Sequence, residues 1–135
     1  MIEQAMEAYL QGRLDEAEQG FHDALEVQPG VPDALHGLGL VAHIKGDLAR
    51  AREQIEAAVK AAPGVAVFRN NLGIVMRDSG NPPAAEALFL QAMEIDPLFH
   101  DAYVNLGLEV RVETDDGGRD LTVPEALAAG VEEYR

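Results

Sequence analysis

Residues 32–63 read Pro32-Asp-Ala-Leu-His-Gly-Leu-Gly-Leu-Val-Ala-His-Ile-Lys-Gly-Asp-Leu-Ala-Arg-Ala-Arg-Glu-Gln-Ile-Glu-Ala-Ala-Val-Lys-Ala-Ala-Pro63. Leu35, Leu38, Val41 and Ala42 recur at three- and four-residue steps, which predicts an amphipathic helix. Gly46 supplies the permissive backbone for a tight exit. Leu48, Ala51, Ile55, Ala58 and Val59 repeat the same steps in a second helix, and Pro63 ends it because its ring cannot continue the hydrogen-bond ladder. The stretch is therefore a helical hairpin, with helix A followed by helix B. Small residues at Gly39, Ala51 and Ala58 let the two helices approach closely, while Leu35, Leu38 and Ile55 fill the space between units.

The unit is copied along the chain. Pro29, Pro63 and Pro97 stand 34 residues apart, and so do Gly12, Gly46 and Gly80. Ala17, Ala51 and Ala85 keep the step, as do Phe21, Ile55 and Phe89, and then Ala24, Ala58 and Ala92. Leu38-Gly39, Leu72-Gly73 and Leu106-Gly107 complete the set. A single hairpin cannot bury both of its faces, but stacked neighbours can, so the repeats predict a helical solenoid.

Composition agrees and excludes much else. The chain has 135 residues, no Cys, no Trp and 5% aromatics. Strand-forming residues are scarce and strong helix formers abound, which predicts an all-α fold. Absence of Cys removes disulfides, thiolate metal sites and cysteine nucleophiles. Ten Lys and Arg against 24 Asp and Glu give a net charge of −14, which sets the molecule against nucleic acid and anionic membranes as partners. The N-terminus carries Glu3 and Glu7 where a signal peptide carries Lys or Arg, and no apolar run approaches the roughly 20 residues of a membrane span. The expectation is a soluble, cytoplasmic protein.

The Leu-Gly, Gly, Ala, aromatic, Ala and Pro series resembles the tetratricopeptide-repeat (TPR) family, whose unit is 34 residues long. Numbered on that unit, residues 1–31 form a truncated first repeat, 32–65 the second and 66–99 the third. Helix A of a fourth repeat is expected over 100–113, from Tyr103, Leu106-Gly107 and Val110. The pattern then breaks, with Thr114 where the family has Gly. A polar, Gly-containing loop is expected over 114–121. A capping helix is expected over 122–135, opened by the capping box Thr122-Val-Pro-Glu125.

The resemblance implies that the A helices line a concave groove for a peptide, with unit positions two, five, six, nine, twelve and thirteen facing it. The candidate peptide-binding residues are His36, Leu40 and His43 in the second repeat, Asn70, Asn71, Ile74 and Arg77 in the third, and Asn105, Leu108 and Arg111 in the fourth. Asn71 and Asn105 share a unit position and resemble the asparagine ladder of O-linked N-acetylglucosamine transferases. An amide both donates and accepts, so it can hold a peptide backbone whatever the peptide's side chains, or it can simply be solvated. His43, Arg77 and Arg111 share position twelve and form a candidate cationic stripe for a partner's carboxylate, unless they pair with nearby acids such as Asp78 or Glu109. None of the groove residues is Lys, which departs from the carboxylate clamp of chaperone-tail-binding relatives.

Other motifs do not hold up. Gly37-Leu-Gly39-Leu-Val-Ala42 matches a dinucleotide fingerprint formally but lies within a helix, without the required strand before it. His36 and His43 are seven residues apart, roughly 10 Å along a helix, too far to share a metal without other ligands. Asp115-Asp-Gly-Gly-Arg-Asp120 lacks the calcium-loop pattern and its terminal Glu. With no catalytic constellation in view, the expected function is a protein-interaction scaffold without cofactor or metal, and its partner a protein or peptide. The alternative is the repeat region of a larger enzyme, such as a transferase, which presents substrate to a catalytic domain outside this chain. Ile2, Met6 and Leu10 on the first helix also offer a route to self-association.

Overall fold

The computed structural model describes residues 1–107 and the strand segments 109–112 and 119–122. Among the described residues seven helices run in order: α1 (Ile2–Leu10), α2 (Leu14–Val27), α3 (Pro32–Ile44), α4 (Leu48–Ala61), α5 (Ala66–Asp78), α6 (Pro82–Ile95) and α7 (His100–Leu106). Each packs on the next, and α1, α3, α5 and α7 also touch one another in sequence along one face. This is the all-α solenoid expected from the repeats, with A helices on one side and B helices on the other.

The turns show how the sequence repeats its structure. Gly12, Gly46 and Gly80 adopt φ of 79°, 84° and 84°, a left-handed conformation that costs glycine nothing. Just beyond each, Arg13, Asp47 and Asn81 donate their backbone N–H to Ala8, Ala42 and Met76, each at 2.9 Å. These are the long bonds of the Schellman exit, reproduced three times. Asp47 and Asn81 then cap the following helix by accepting from the N–H of Arg50 and Ala84. At the other end, α2, α4 and α6 each stop two residues before Pro29, Pro63 and Pro97. The intervening Gln28, Ala62 and Asp96 are turned out of helical geometry, with ψ of 92°, 80° and 96°, as the residue before proline requires.

Phe21, Ile55 and Phe89 are buried at one unit position, and each is received by a glycine. A Cβ on Gly39 would lie 2.3 Å from Ile55 Cγ1, and one on Gly73 would lie 2.6 Å from the Phe89 ring. Phe21 instead packs on Gly37 of the next repeat. In the first repeat the position of Gly39 and Gly73 is Ala5, and the space comes from Gly20 opposite, where a Cβ would stand 2.8 Å from that of Ala5. The alanine series at 17, 51 and 85 and at 24, 58 and 92 is buried throughout. Arg69 and Tyr103, at one unit position, donate to the carbonyls of Pro63 and Pro97 and so latch the entry of α5 and α7.

The fourth repeat departs from expectation. The helix predicted over 100–113 ends at Leu106, capped by Gly107 at φ 68°. β1 (Glu109–Val112) then pairs antiparallel with β2 (Arg119–Thr122), Glu109 opposite Thr122 and Val112 opposite Arg119. Strand therefore occupies part of the expected loop over 114–121, as well as Thr122. The capping helix expected from that residue lies otherwise outside the described residues. The physical reason is part local and part distant. Glu109-Val-Arg-Val alternates charged and β-branched residues, and Asp115-Asp-Gly-Gly lies between the two strands. Gly39 and Gly73 stay helical under Ile55 and Phe89 of a following helix. Among the described residues no such helix follows Gly107.

Gly39→Ala and Gly73→Ala are each expected to lower unfolding free energy by about 1–3 kcal/mol in urea titrations. Gly64→Ala, where a Cβ meets nothing within 4 Å, is the control and should shift stability by less than about 1 kcal/mol.

Candidate binding groove

The groove is the face formed by α1, α3, α5 and α7. Its centre is a chain of hydrogen bonds that crosses three helices. Asn105 Nδ2 on α7 donates to Asn70 Oδ1 on α5 at 2.9 Å. Asn70 Nδ2 donates to Asn71 Oδ1 at 3.3 Å. Asn71 Nδ2 donates to His36 Nε2 on α3 at 2.8 Å. Because an amide nitrogen can only donate, His36 Nε2 must accept, and the ring proton sits on Nδ1. The imidazole also lies 4.7 Å from the Phe68 ring, centroid to centroid.

Burial divides these side chains by role. Asn70 is 2% exposed and His36 7%, so both brace the face from beneath. Asn71 and Asn105 are half-buried and reach its surface. Leu40 and Ile74 lie half-buried on α3 and α5, and Ile44 and Val104 are exposed on α3 and α7. The candidate cationic stripe does not form as a row of equivalents. His43 pairs with Asp78 at 2.6 Å, taking the carboxylate that the sequence offered to Arg77. Arg77 is exposed, with its guanidinium carbon 5.9 Å from the centre of the Phe89 ring. Arg111 lies on β1 opposite Asp120, away from the helical position that aligned it with Arg77. Leu108 lies outside the described residues.

Three of the contacts across repeats share one spacing. His36 to Asn71, Asn70 to Asn105 and His43 to Asp78 all join residues 35 apart, one more than the repeat length. Successive A helices thus meet with position five against six and twelve against thirteen. Polar residues at those offset positions were the signal for the network, and comparing only equivalent positions misses it.

Burial pushes the His36 imidazole down from 6.5 to about 4, against a smaller upward pull from the Asp33 carboxylate. At neutral pH the ring is uncharged and free to accept from Asn71. Among the described residues no three His, Asp or Glu converge where a metal could sit. No helix among them is long and apolar enough to cross a membrane.

A stack of helix pairs with a polar and apolar groove on its A-helix face is a repeat-type protein-interaction module. Sequence models of the Tetratricopeptide repeat match residues 2–66 and 65–95. The chain belongs to the tetratricopeptide-repeat family. No curated protein matches it. Among solved structures it is similar to an O-GlcNAc transferase mutant of Thermobaculum terrenum, at 30% identity and TM-score 0.75, over 78% of this chain and 20% of that one. The chain thus spans about a fifth of that transferase. It is also similar in fold to the first TPR of Spaghetti (RPAP3) bound to the HSP90 peptide SRMEEVD, at 17% identity and TM-score 0.73, over 78% of this chain and 84% of that one.

Because the folded His36 holds its proton less tightly than the unfolded one, its contribution to stability is complete above about pH 6.5 and is lost as pH falls toward 4. The loss amounts to about 3 kcal/mol once the pH is below both values. In urea titrations between pH 7 and pH 4, His36→Gln is expected to show a shallower decline than wild type by about that amount.

Proposed function

We propose that this chain is a non-catalytic interaction module that seats an extended or helical protein segment along the face of α1, α3, α5 and α7. The observation that carries the reading is the braced row of amides. Asn70 fixes the orientation of both Asn71 and Asn105, so each presents its remaining hydrogen-bonding capacity to the groove without further loss of rotamer freedom. Such amides hold a backbone at about 0.5–1.5 kcal/mol net per bond and discriminate little among side chains. Ile44, Val104 and the half-buried Leu40 and Ile74 add apolar contact, and Arg77 adds an exposed cation. The similarity to a TPR structure with a bound peptide supports the same mode of use.

The bracing carries a consequence for mutagenesis. Asn71→Ala with Asn105→Ala leaves the buried Asn70 and His36 without partners, so the pair is expected to cost about 1–3 kcal/mol of stability as well as binding. The cleaner test places a photo-crosslinking residue at Ile44 or Arg77 on the groove, and at Glu53 or Glu94 on the opposite helices, in protein incubated with native lysate. Adducts with a common protein from both groove positions and neither outer position are expected. Adducts from the outer positions alone would refute the groove.

A further inference from the structure

One end of the groove has a chemistry of its own. Between α1 and α3 lies an open pocket lined by Ile2, Met6 and Leu10, by Glu3 and Glu7, and by Asp33 and His36 of α3. Leu10 is 75% exposed and Met1, at the same end of the chain, 57%, so the apolar surface is open to solvent. The acids Glu3, Glu7 and Asp33 are exposed too, and His36 is uncharged at neutral pH. Glu7 accepts a neutral hydrogen bond from Gln11 at 3.3 Å. Among the described residues none of the three acids is in an ion pair. The described cations that do pair are spent elsewhere, Arg13 on Glu16, Lys45 on Asp15 and Glu18, and Arg52 on Glu56. The pocket thus joins an apolar floor to carboxylates that pair with no described cation, within a chain of net charge −14.

Resting on the groove reading above, we propose that the α1–α3 end receives a basic amphipathic protein segment. Its apolar residues seat on Ile2, Met6 and Leu10 while its lysines or arginines meet Glu3, Glu7 and Asp33. Charge complementarity selects this occupant. A second copy of the chain would bring its own −14 against these acids, and a two-fold contact would set each carboxylate near its own counterpart. An acidic segment such as SRMEEVD would meet the same repulsion. Apolar seating supplies most of the affinity, and the carboxylates choose the partner and speed its arrival.

The test uses the full chain and fluorescein-labelled peptides read by anisotropy near physiological salt. The basic probe is LKKLLKLLKKLLKL, and its acidic counterparts are LEELLELLEELLEL and SRMEEVD. Because any acidic protein attracts a basic peptide, the decisive comparison holds net charge fixed. Glu3→Gln/Glu7→Gln/Asp33→Asn is set against Glu26→Gln/Glu53→Gln/Glu94→Gln on α2, α4 and α6, with circular dichroism to confirm that both variants fold. The first variant is expected to weaken the basic probe by about tenfold or more and the second by less than about threefold. Neither acidic peptide should bind. Equal weakening by both variants overturns the proposal, as does comparable binding of an acidic peptide. A dimer in sedimentation that is abolished by Leu10→Lys overturns it in favour of a second copy. Groove crosslinks at Ile44 and Arg77 together with equal weakening would leave the general groove reading standing and remove this one alone.

Discussion

The close approach of paired helices, set by a large side chain resting on a glycine, is the constraint from which the remaining architecture follows. Ile55 lies on Gly39 and Phe89 on Gly73, at distances that leave no room for a Cβ. That contact fixes the separation within each pair, and the alanine series keeps the pairs narrow enough to stack. Once the spacing is set, neighbouring A helices fall into one register and their polar residues meet across the repeat boundary. The first repeat admits a close approach by another route, with Ala5 on one helix and Gly20 on the other. A small residue is thus needed at the crossing, though not always on the same helix, as expected where close packing decides the geometry.

The helices and turns could be read from the sequence because their causes are local and repeated. Gly12, Gly46 and Gly80, and Pro29, Pro63 and Pro97, each act within a few residues of themselves. Where the structure departs from that reading, the determinant is distant. Gly107 is preceded by Leu106, as Gly39 and Gly73 are preceded by leucines, yet it ends a helix. Its fate depends on what packs over it, which the pattern of helix A does not contain. The alternation in Glu109-Val-Arg-Val favours strand, but the four residues do not by themselves say whether another helix pair continues the stack.

The groove was legible to a lesser degree. Position numbering brought His36, Asn70, Asn71 and Asn105 to one face, and the structure brings them together there. It did not reveal that Asn70 is buried and committed on both sides, because hydrogen-bond partners lie on different helices and depend on a one-residue offset. The same offset pairs His43 with Asp78 and leaves Arg77 over an aromatic ring. Residues reading as a stripe in one dimension thus become a hydrogen-bonded pair and a separate cation in three. At the α1–α3 end, Glu3, Glu7 and Asp33 take part in no ion pair among the described residues.

The polar chain from His36 to Asn105 also bears on how the molecule comes apart. Repeat proteins unfold as a line of units whose cooperation depends on the interfaces between them. Here two of the links, His36 to Asn71 and Asn70 to Asn105, cross repeat boundaries and end on buried groups. Peeling away α7 strips the buried Asn70 of its donor, and melting α3 takes the acceptor from Asn71. The boundaries between the second and third and between the third and fourth repeats therefore carry a desolvation penalty on top of their lost apolar contact. Fraying from the C-terminal end is therefore penalised from its first step, which ties α3 to α7 into one cooperative block, whereas α1 and α2 can open without breaking a link of the chain.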